Sequence, residues 1–327
     1  MPEASTTQPH NTETGMDVVY TWVDDTFPGY AETLREHASD KRDLNPNRTR
    51  DNLDLLKYSL RSLETNAPFV RRVHLLTCRP QVPDWLNADH PDLRLVHHDE
   101  IMDPAILPTF NSFAIVSHLA KLPELSERFL YFEDDMLAFA PFQPEDFVNA
   151  DGLPRIFAKG HDAPVHEKLN PETESPWNLA LATANAALDR AFSKKSRKFL
   201  AHGPRLIERA LFEQMCATFP AEIEATRCSR FRANGNVPPE YLYPQFLIET
   251  GRAELATATQ TRRMTGYASL ENILPWTWFQ LTRMERRRPA TVTLNDSFNN
   301  QPNPRVVAYV RRTLERWFPA PSRFEKQ

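Results

Sequence analysis

The clearest pattern in the chain is short apolar runs alternating with stretches of helical periodicity. Asp17–Asp24 reads Asp-Val-Val-Tyr-Thr-Trp-Val-Asp, a β-branched and aromatic run with a carboxylate at each end, and predicts a buried strand. A polar loop over Asp40–Arg50 follows. In Asp51–Asn66, Leu53, Leu56, Leu60 and Leu63 recur at three- and four-residue spacing, one face of a helix closed by Asn-Ala-Pro. Val73–Thr77 and Leu93–His97 predict two further strands, Asn111–Leu122 a helix, and Arg128–Phe132 a strand running into Glu133-Asp134-Asp135. This alternation argues for an α/β fold with a mostly parallel sheet, in which ligands collect at the carboxyl ends of the strands. Asp24 and the pair Asp134-Asp135 fall at that position.

Beyond residue 150 the pattern turns helical. Gly152–Lys198 is studded with proline and ends in the cationic cluster Lys194–Lys198. Pro204–Phe219 places Leu206, Ala210, Leu211 and Met215 on one helical face, and Tyr241–Glu249 predicts another helix. Thr291–Leu294 predicts a last strand ending at Asn295-Asp296, followed by a helix over Pro304–Phe318. The expected organisation is one domain over 16–327, with an α/β half to residue 150 and a helical half beyond it. Residues 1–15 are polar, without the apolar stretch of a signal peptide, and are expected to be a disordered leader.

Composition changes this picture mainly by exclusion. The 327 residues are 41% hydrophobic and 25% charged, an ordinary globular balance. A net charge of −4 gives no basic footprint for nucleic acid. Only 8 glycines occur and no glycine-rich phosphate loop, so phosphate chemistry must use another device. No apolar run approaches the roughly 20 residues that span a bilayer. Cys78, Cys216 and Cys228 form no CxxC pair and read as reduced thiols, hence a cytoplasmic protein.

Four blocks in fixed order carry a specific likeness: Asp17–Asp24; Arg50–Thr77 with Pro-Asp-Trp-Leu-Asn, Leu-Pro-Thr-Phe-Asn-Ser and the strand ending in Asp134-Asp135; Phe199–His202 through Ser-Arg-Phe-Arg to Tyr241–Pro244; and Leu294-Asn295-Asp296 with the closing Phe-Pro-Ala-Pro-Ser-Arg-Phe-Glu. In these the chain resembles the Stealth family of sugar-phosphate transferases, which includes capsule polymerases and the lysosomal-enzyme GlcNAc-1-phosphotransferase. It departs from the family where Phe132-Glu133 precedes the Asp pair in place of Leu-Asn, where Val116 stands for Glu before Ser-His, and where Asp25 stands for Gly.

The resemblance implies a glycosyltransferase-A-like or Rossmann-like fold and transfer of a sugar 1-phosphate from a nucleotide-sugar, UDP-GlcNAc-like, to an oligosaccharide or polysaccharide hydroxyl. Such a transfer needs positioning, cationic charge and a base for the attacking hydroxyl. Adjacent carboxylates at a strand end read, taken alone, as a solvated turn. With the likeness, Asp134, Asp135, Asn295 and Asp296 become the expected ligands of Mg²⁺ or Mn²⁺, hard cations that take oxygen donors. His202 aligns with the family's catalytic histidine, and imidazole suits a general base near neutrality. Arg232 aligns with a phosphate-holding arginine, a role its planar fork fits. Asp17, Trp22, Asp24, Arg50, Asp51, Asn52 and Asn111 are expected to bind substrate, with Asp135 also catalytic. Lys194–Lys198 reads equally as an attractor for an anionic acceptor or a peripheral membrane surface and as a solvated helix face. The rival readings are a glycosyltransferase that releases nucleoside diphosphate, and a non-catalytic carbohydrate-binding protein.

Overall fold

A computed structural model describes residues 15–44 and 50–326. The expected leader, except Gly15, lies outside them. The strands are β1 (Met16–Thr21), β2 (Val70–Thr77), β3 (Leu93–His97), β4 (Arg128–Glu133), β5 (Met136–Ala138), β6 (Arg155–Ile156), β7 (Ala158–Asp162), β8 (Lys198–Leu200), β9 (Arg205–Glu208), β10 (Glu254–Leu255), β11 (Thr265–Leu270) and β12 (Thr291–Asp296). The main sheet has the order β3-β2-β1-β4-β9, parallel throughout except for β9. This is the α/β, mostly parallel architecture the sequence predicts.

Strand alternation sorts the sheet's side chains into two cores. Val19, Leu76, Val96, Phe129 and Tyr131 face one way, onto helices Pro176–Ala191, Arg209–Thr218 and Pro239–Glu249. Val18, Tyr20, Leu75, Leu130 and Phe132 face the other, onto Leu56, Leu60 and Leu63 of helix Leu55–Asn66. The outer side of that helix, through Leu55 and Tyr58, joins a third cluster built on the small sheet β11-β12-β5 and on helices Leu274–Arg287 and Pro304–Trp317.

The connection from β4 to β5 joins the two sheets. After Glu133 the chain turns through Asp134-Asp135 and enters the small sheet, where β5 runs antiparallel to β12. The Leu294 amide donates to the Asp135 carbonyl at 2.9 Å, so Asn295-Asp296 emerges beside the acidic turn. Because β9 follows residue 150 and β5 precedes it, the two expected halves share both sheets.

Several segments depart from the expected elements. Residues Arg205–Glu208 form strand β9, and the helix begins only at Arg209. Asn111 caps a helix of five residues, Ser112–Val116, and does not start a longer one. Helix Pro176–Ala191 is missing from the sequence reading because its prolines looked like breakers. Pro176 instead opens the helix, where the missing N–H is harmless, and Ser175 accepts from Asn178 N. Strand β11 is rich in Gly, Ala and Ser, a weak strand signal. Its Gly266 meets Met284 and Pro289 so closely that a Cβ would lie within 2.8 Å of both.

The cluster Lys194–Lys198 is neither a helix face nor free positive charge. Lys194 pairs with Glu167, Lys195 and Arg197 with Glu249, Arg197 also with Asp189, and Lys198 with Asp162. Cys78, Cys216 and Cys228 are free thiols. Among the described residues no helix is long and apolar enough to cross a membrane.

Candidate active site

A cavity of about 620 Å³ opens at the carboxyl ends of β1 and β4 and is closed on one side by β11 and β12. Trp22, Arg50, Asp51, Asp134, Asp135, His202, Arg232, Asn295 and Asp296 all line it. Nine of the residues expected in the site thus converge from six separate stretches of chain.

His202 sits in the loop between β8 and β9, over the end of β4. Its carbonyl accepts from Thr293 Oγ1 at 3.0 Å, which ties the loop to β12, and its ring stacks on Tyr267 with centroids 6.1 Å apart. Nε2 lies 3.1 Å from Glu133 Oε2. Burial alone would raise the Glu133 carboxyl, but His202, Arg205 and Arg232 outweigh it and hold it down at about 2. An ionised carboxylate can only accept, so Nε2 carries the proton and Nδ1 is left as the proton-accepting nitrogen. Burial disfavours the imidazolium, yet Glu133, aided by Asp135, raises the His202 pKa above its ordinary value.

Arg232 is placed by two loops zipped together. The amide of Asn111, fully buried, donates to the Ser229 and Phe231 carbonyls at 3.0 and 3.3 Å and to Asn236 Oδ1 at 3.0 Å. Phe110 and Phe231 stack with centroids 5.0 Å apart. The Arg232 guanidinium lies 4.2 Å over the Phe113 ring and donates to Ser112 Oγ at 2.7 Å. Asn111 therefore positions the arginine loop and does not line the cavity, a correction to its expected role in binding.

The carboxylates crowd one another. Burial pushes Asp135 up to about 7, against the pull of His202 and with Glu133 and Asp296 adding to it. Asp134 is raised well above the usual carboxylate range by burial and by Asp135, Asp51 and Glu133. Burial lifts Asp51 to about 6, although the Leu55 amide donates to it at 3.0 Å and Trp22 Nε1 at 3.4 Å. Asn52 holds Asp296 through a bond of 3.0 Å.

One ligand atom each from Glu133, Asp135 and His202 lies within 4.8 Å of the others, a metal-sized cluster. Asp135 Oδ1 is buried with no hydrogen-bond partner. An orphaned carboxylate oxygen among mutually repelling acids fits a divalent cation. The set differs from the expected one: Glu133 and His202 join Asp135, while Asp134, Asn295 and Asp296 line the wall around it.

One other expectation, at Asp17, is corrected. Asp17 lies at the amino end of β1, fully buried, and its carboxylate accepts two bonds of 2.9 Å from Arg71 and one of 2.9 Å from the Ser126 amide. That is a structural ion pair at the end of the strand opposite the cavity. Asp17→Ala is expected to cost about 3 kcal/mol of folding stability, measured by denaturant titration, while turnover per folded molecule stays unchanged; lost turnover with intact stability would return Asp17 to the site. Asp24 caps a turn, its carboxylate accepting from Thr26 N at 2.9 Å, with its backbone clasped by the Gln81 amide. Arg50 reaches the cavity while paired with Asp25 at 2.8 Å.

The sequence reading missed Glu133, Lys159, Arg205, Glu240 and Tyr267, all on the cavity wall. Glu133 was visible as the first acid of the Glu-Asp-Asp run. Tyr267 carried no local signal, because its meaning comes from Asn295, whose Oδ1 accepts from its hydroxyl at 3.0 Å.

The fold and site define a mostly parallel α/β protein with an acidic cavity at its strand ends, faced by a histidine–carboxylate pair and an arginine. Models of Stealth conserved regions 2 and 3 match residues 48–156 and 201–249, and the chain belongs to the Stealth family. It is 34% identical over 324 residues to an exopolysaccharide phosphotransferase of Streptomyces coelicolor, covering 98% of this chain and 54% of that protein. It is 30% identical over 323 residues to the capsular polysaccharide phosphotransferase SacB of Neisseria meningitidis serogroup A, covering 95% and 57%. The chain spans about half the length of these relatives. Among solved structures, the galactosyltransferase LgtC with donor and acceptor sugar analogs matches at a TM-score of 0.45 and 11% identity, covering 94% of this chain and 96% of that one. That likeness is too distant to bear on chemistry.

Proposed function

We propose that this chain transfers a sugar 1-phosphate from a nucleotide-sugar to a carbohydrate hydroxyl, in the synthesis of a capsular or extracellular polysaccharide. The observation that carries the reading is the convergence of His202, Arg232 and the acidic turn in one cavity. The acceptor oxygen attacks the sugar-linked phosphorus, and the bond from that phosphorus to the nucleoside monophosphate oxygen breaks. His202 Nδ1 takes the hydroxyl proton, and the imidazolium so formed is held by Glu133 through Nε2–H. Arg232, fixed by Ser112 and Phe113, holds phosphate oxygens that carry charge throughout the reaction. Asp135 and Glu133, with Asp296 beside them, are the residues that would hold a divalent cation. Such a cation supplies neutralisation of phosphate charge when bound.

The products test the reading. Incubation with a panel of nucleotide-sugars, a divalent cation and acceptor glycans is expected to yield nucleoside monophosphate in step with a phosphodiester signal by ³¹P NMR. Stoichiometric nucleoside diphosphate with no phosphodiester would assign glycosyl transfer instead.

A further inference from the structure

Five of the eight exposed large apolar side chains among the described residues fall within one short stretch: Ile273 at 57%, Leu274 at 38%, Trp276 at 40%, Trp278 at 53% and Phe279 at 50%. Scattered exposed apolar residues need no explanation, whereas a contiguous patch marks an interaction surface. These residues open helix Leu274–Arg287, whose inner face is the buried set Thr277, Gln280, Leu281 and Met284. The aromatic rings therefore stand on the outer face.

The same helix ends in positive charge. Arg283, Arg286 and Arg287 are exposed, and neither they nor neighbouring Arg262 form an ion pair among the described residues. Burial, and after it the neighbouring charges of Arg283 and Arg262, lower the Arg287 pKa.

The patch adjoins the cavity. Trp276 Nε1 donates to the Ser269 carbonyl at 3.1 Å, and Ser269 stands in register with Asn295, a cavity residue. Arg283 donates to the carbonyl of Tyr267, also on the cavity wall, at 2.8 Å. Fixed aromatic faces offer flat apolar surface to sugar rings, and guanidinium groups pair with phosphate.

We propose that the outer face of this helix is a second acceptor subsite, where a carbohydrate chain carrying phosphodiester groups leaves the cavity and lies across Trp278, Phe279 and the arginines. The chemistry of this ligand rests on the sugar-phosphate transfer reading. The cavity-linked position of Trp276 and Arg283 favours a glycan over a lipid surface.

The test measures binding of the full chain, without nucleotide donor, by affinity electrophoresis in phosphomannan. The comparison probes are the same mannan stripped of phosphate and vesicles of phosphatidylcholine and phosphatidylglycerol. Wild type is expected to be retarded most by phosphomannan. The double variant Trp278→Ala/Phe279→Ala should weaken that binding roughly tenfold or more, and Arg283→Gln/Arg286→Gln should remove the preference for the phosphorylated polymer. Circular dichroism checks that each variant is folded. No retention, retention indifferent to the substitutions, or tighter binding to vesicles overturns the proposal. The outcome is separable from the product assay: monophosphate release without polymer binding removes this subsite alone, and polymer binding with diphosphate release keeps the subsite and removes phosphoryl transfer.

Discussion

In His202→Ala, kcat is expected to fall by about 10²–10⁴-fold with the KM for the nucleotide-sugar nearly unchanged. The base touches the acceptor hydroxyl and not the nucleotide, so its loss appears in the chemical step. Because Glu133 favours the charged ring, the acid limb of kcat in the wild type should lie above pH 6.5, where His202 first becomes neutral. Glu133→Gln removes that partner and should shift the limb toward lower pH. Arg232 behaves differently. It holds phosphate in both ground and transition states, so Arg232→Ala should raise the donor KM and lower kcat together. Lysine should rescue it poorly, because an ammonium lacks the planar fork. Near-normal kcat in His202→Ala with a known acceptor assigns the base to another residue and ends this mechanism.

The second large effect is metal dependence. EDTA is expected to abolish turnover, Mg²⁺ or Mn²⁺ to restore it, and Asp135→Asn to lose most activity while remaining folded. Thermal melting gives a readout independent of turnover. With folded pKa values raised to about 7 for Asp135 and about 6 for Asp51, the folded state binds protons more readily than the unfolded chain. The acids therefore oppose folding above pH 7, and the opposition is relieved as pH falls through those values toward the unfolded range. A cation relieves the same repulsion, so it should raise Tm more at pH 8 than at pH 6. His202 belongs to the metal-sized cluster as well, and melting separates its two uses. If it is the base, His202→Ala keeps the cation-induced rise in Tm; a ligand role erases it. Full activity in chelator removes the cation from the mechanism.

The strands β1 to β4 were legible as short apolar runs and the helix under Leu56, Leu60 and Leu63 by its period, both of which burial enforces. Strand β9 was not, since its four residues, Arg-Leu-Ile-Glu, are swallowed by the helical pattern beside them. The acidic turn, taken alone, reads as a solvated turn and gains a role only through the family resemblance. His202 and Arg232 could be read only through resemblance to a family, as a single histidine or arginine has no period. Their partners were out of reach for a different reason: Glu133 meets His202, and Asn111 meets the Arg232 loop, across long separations that only tertiary folding closes. The error at Asp17 was avoidable. A strand of a parallel sheet offers ligands its carboxyl end, and Asp17 stands at the other.

The small sheet gives the order of synthesis a consequence for function. By Glu208 the ribosome has delivered every strand of the five-stranded sheet, together with Asp135 and His202. The wall that completes the cavity, β11 and β12 with Asn295 and Asp296, is made only after it. All the main-sheet strands can therefore have been made while the cavity still lacks one of its walls. The cavity is thus a joint product of segments far apart in the order of synthesis, and its last wall also carries the third apolar cluster.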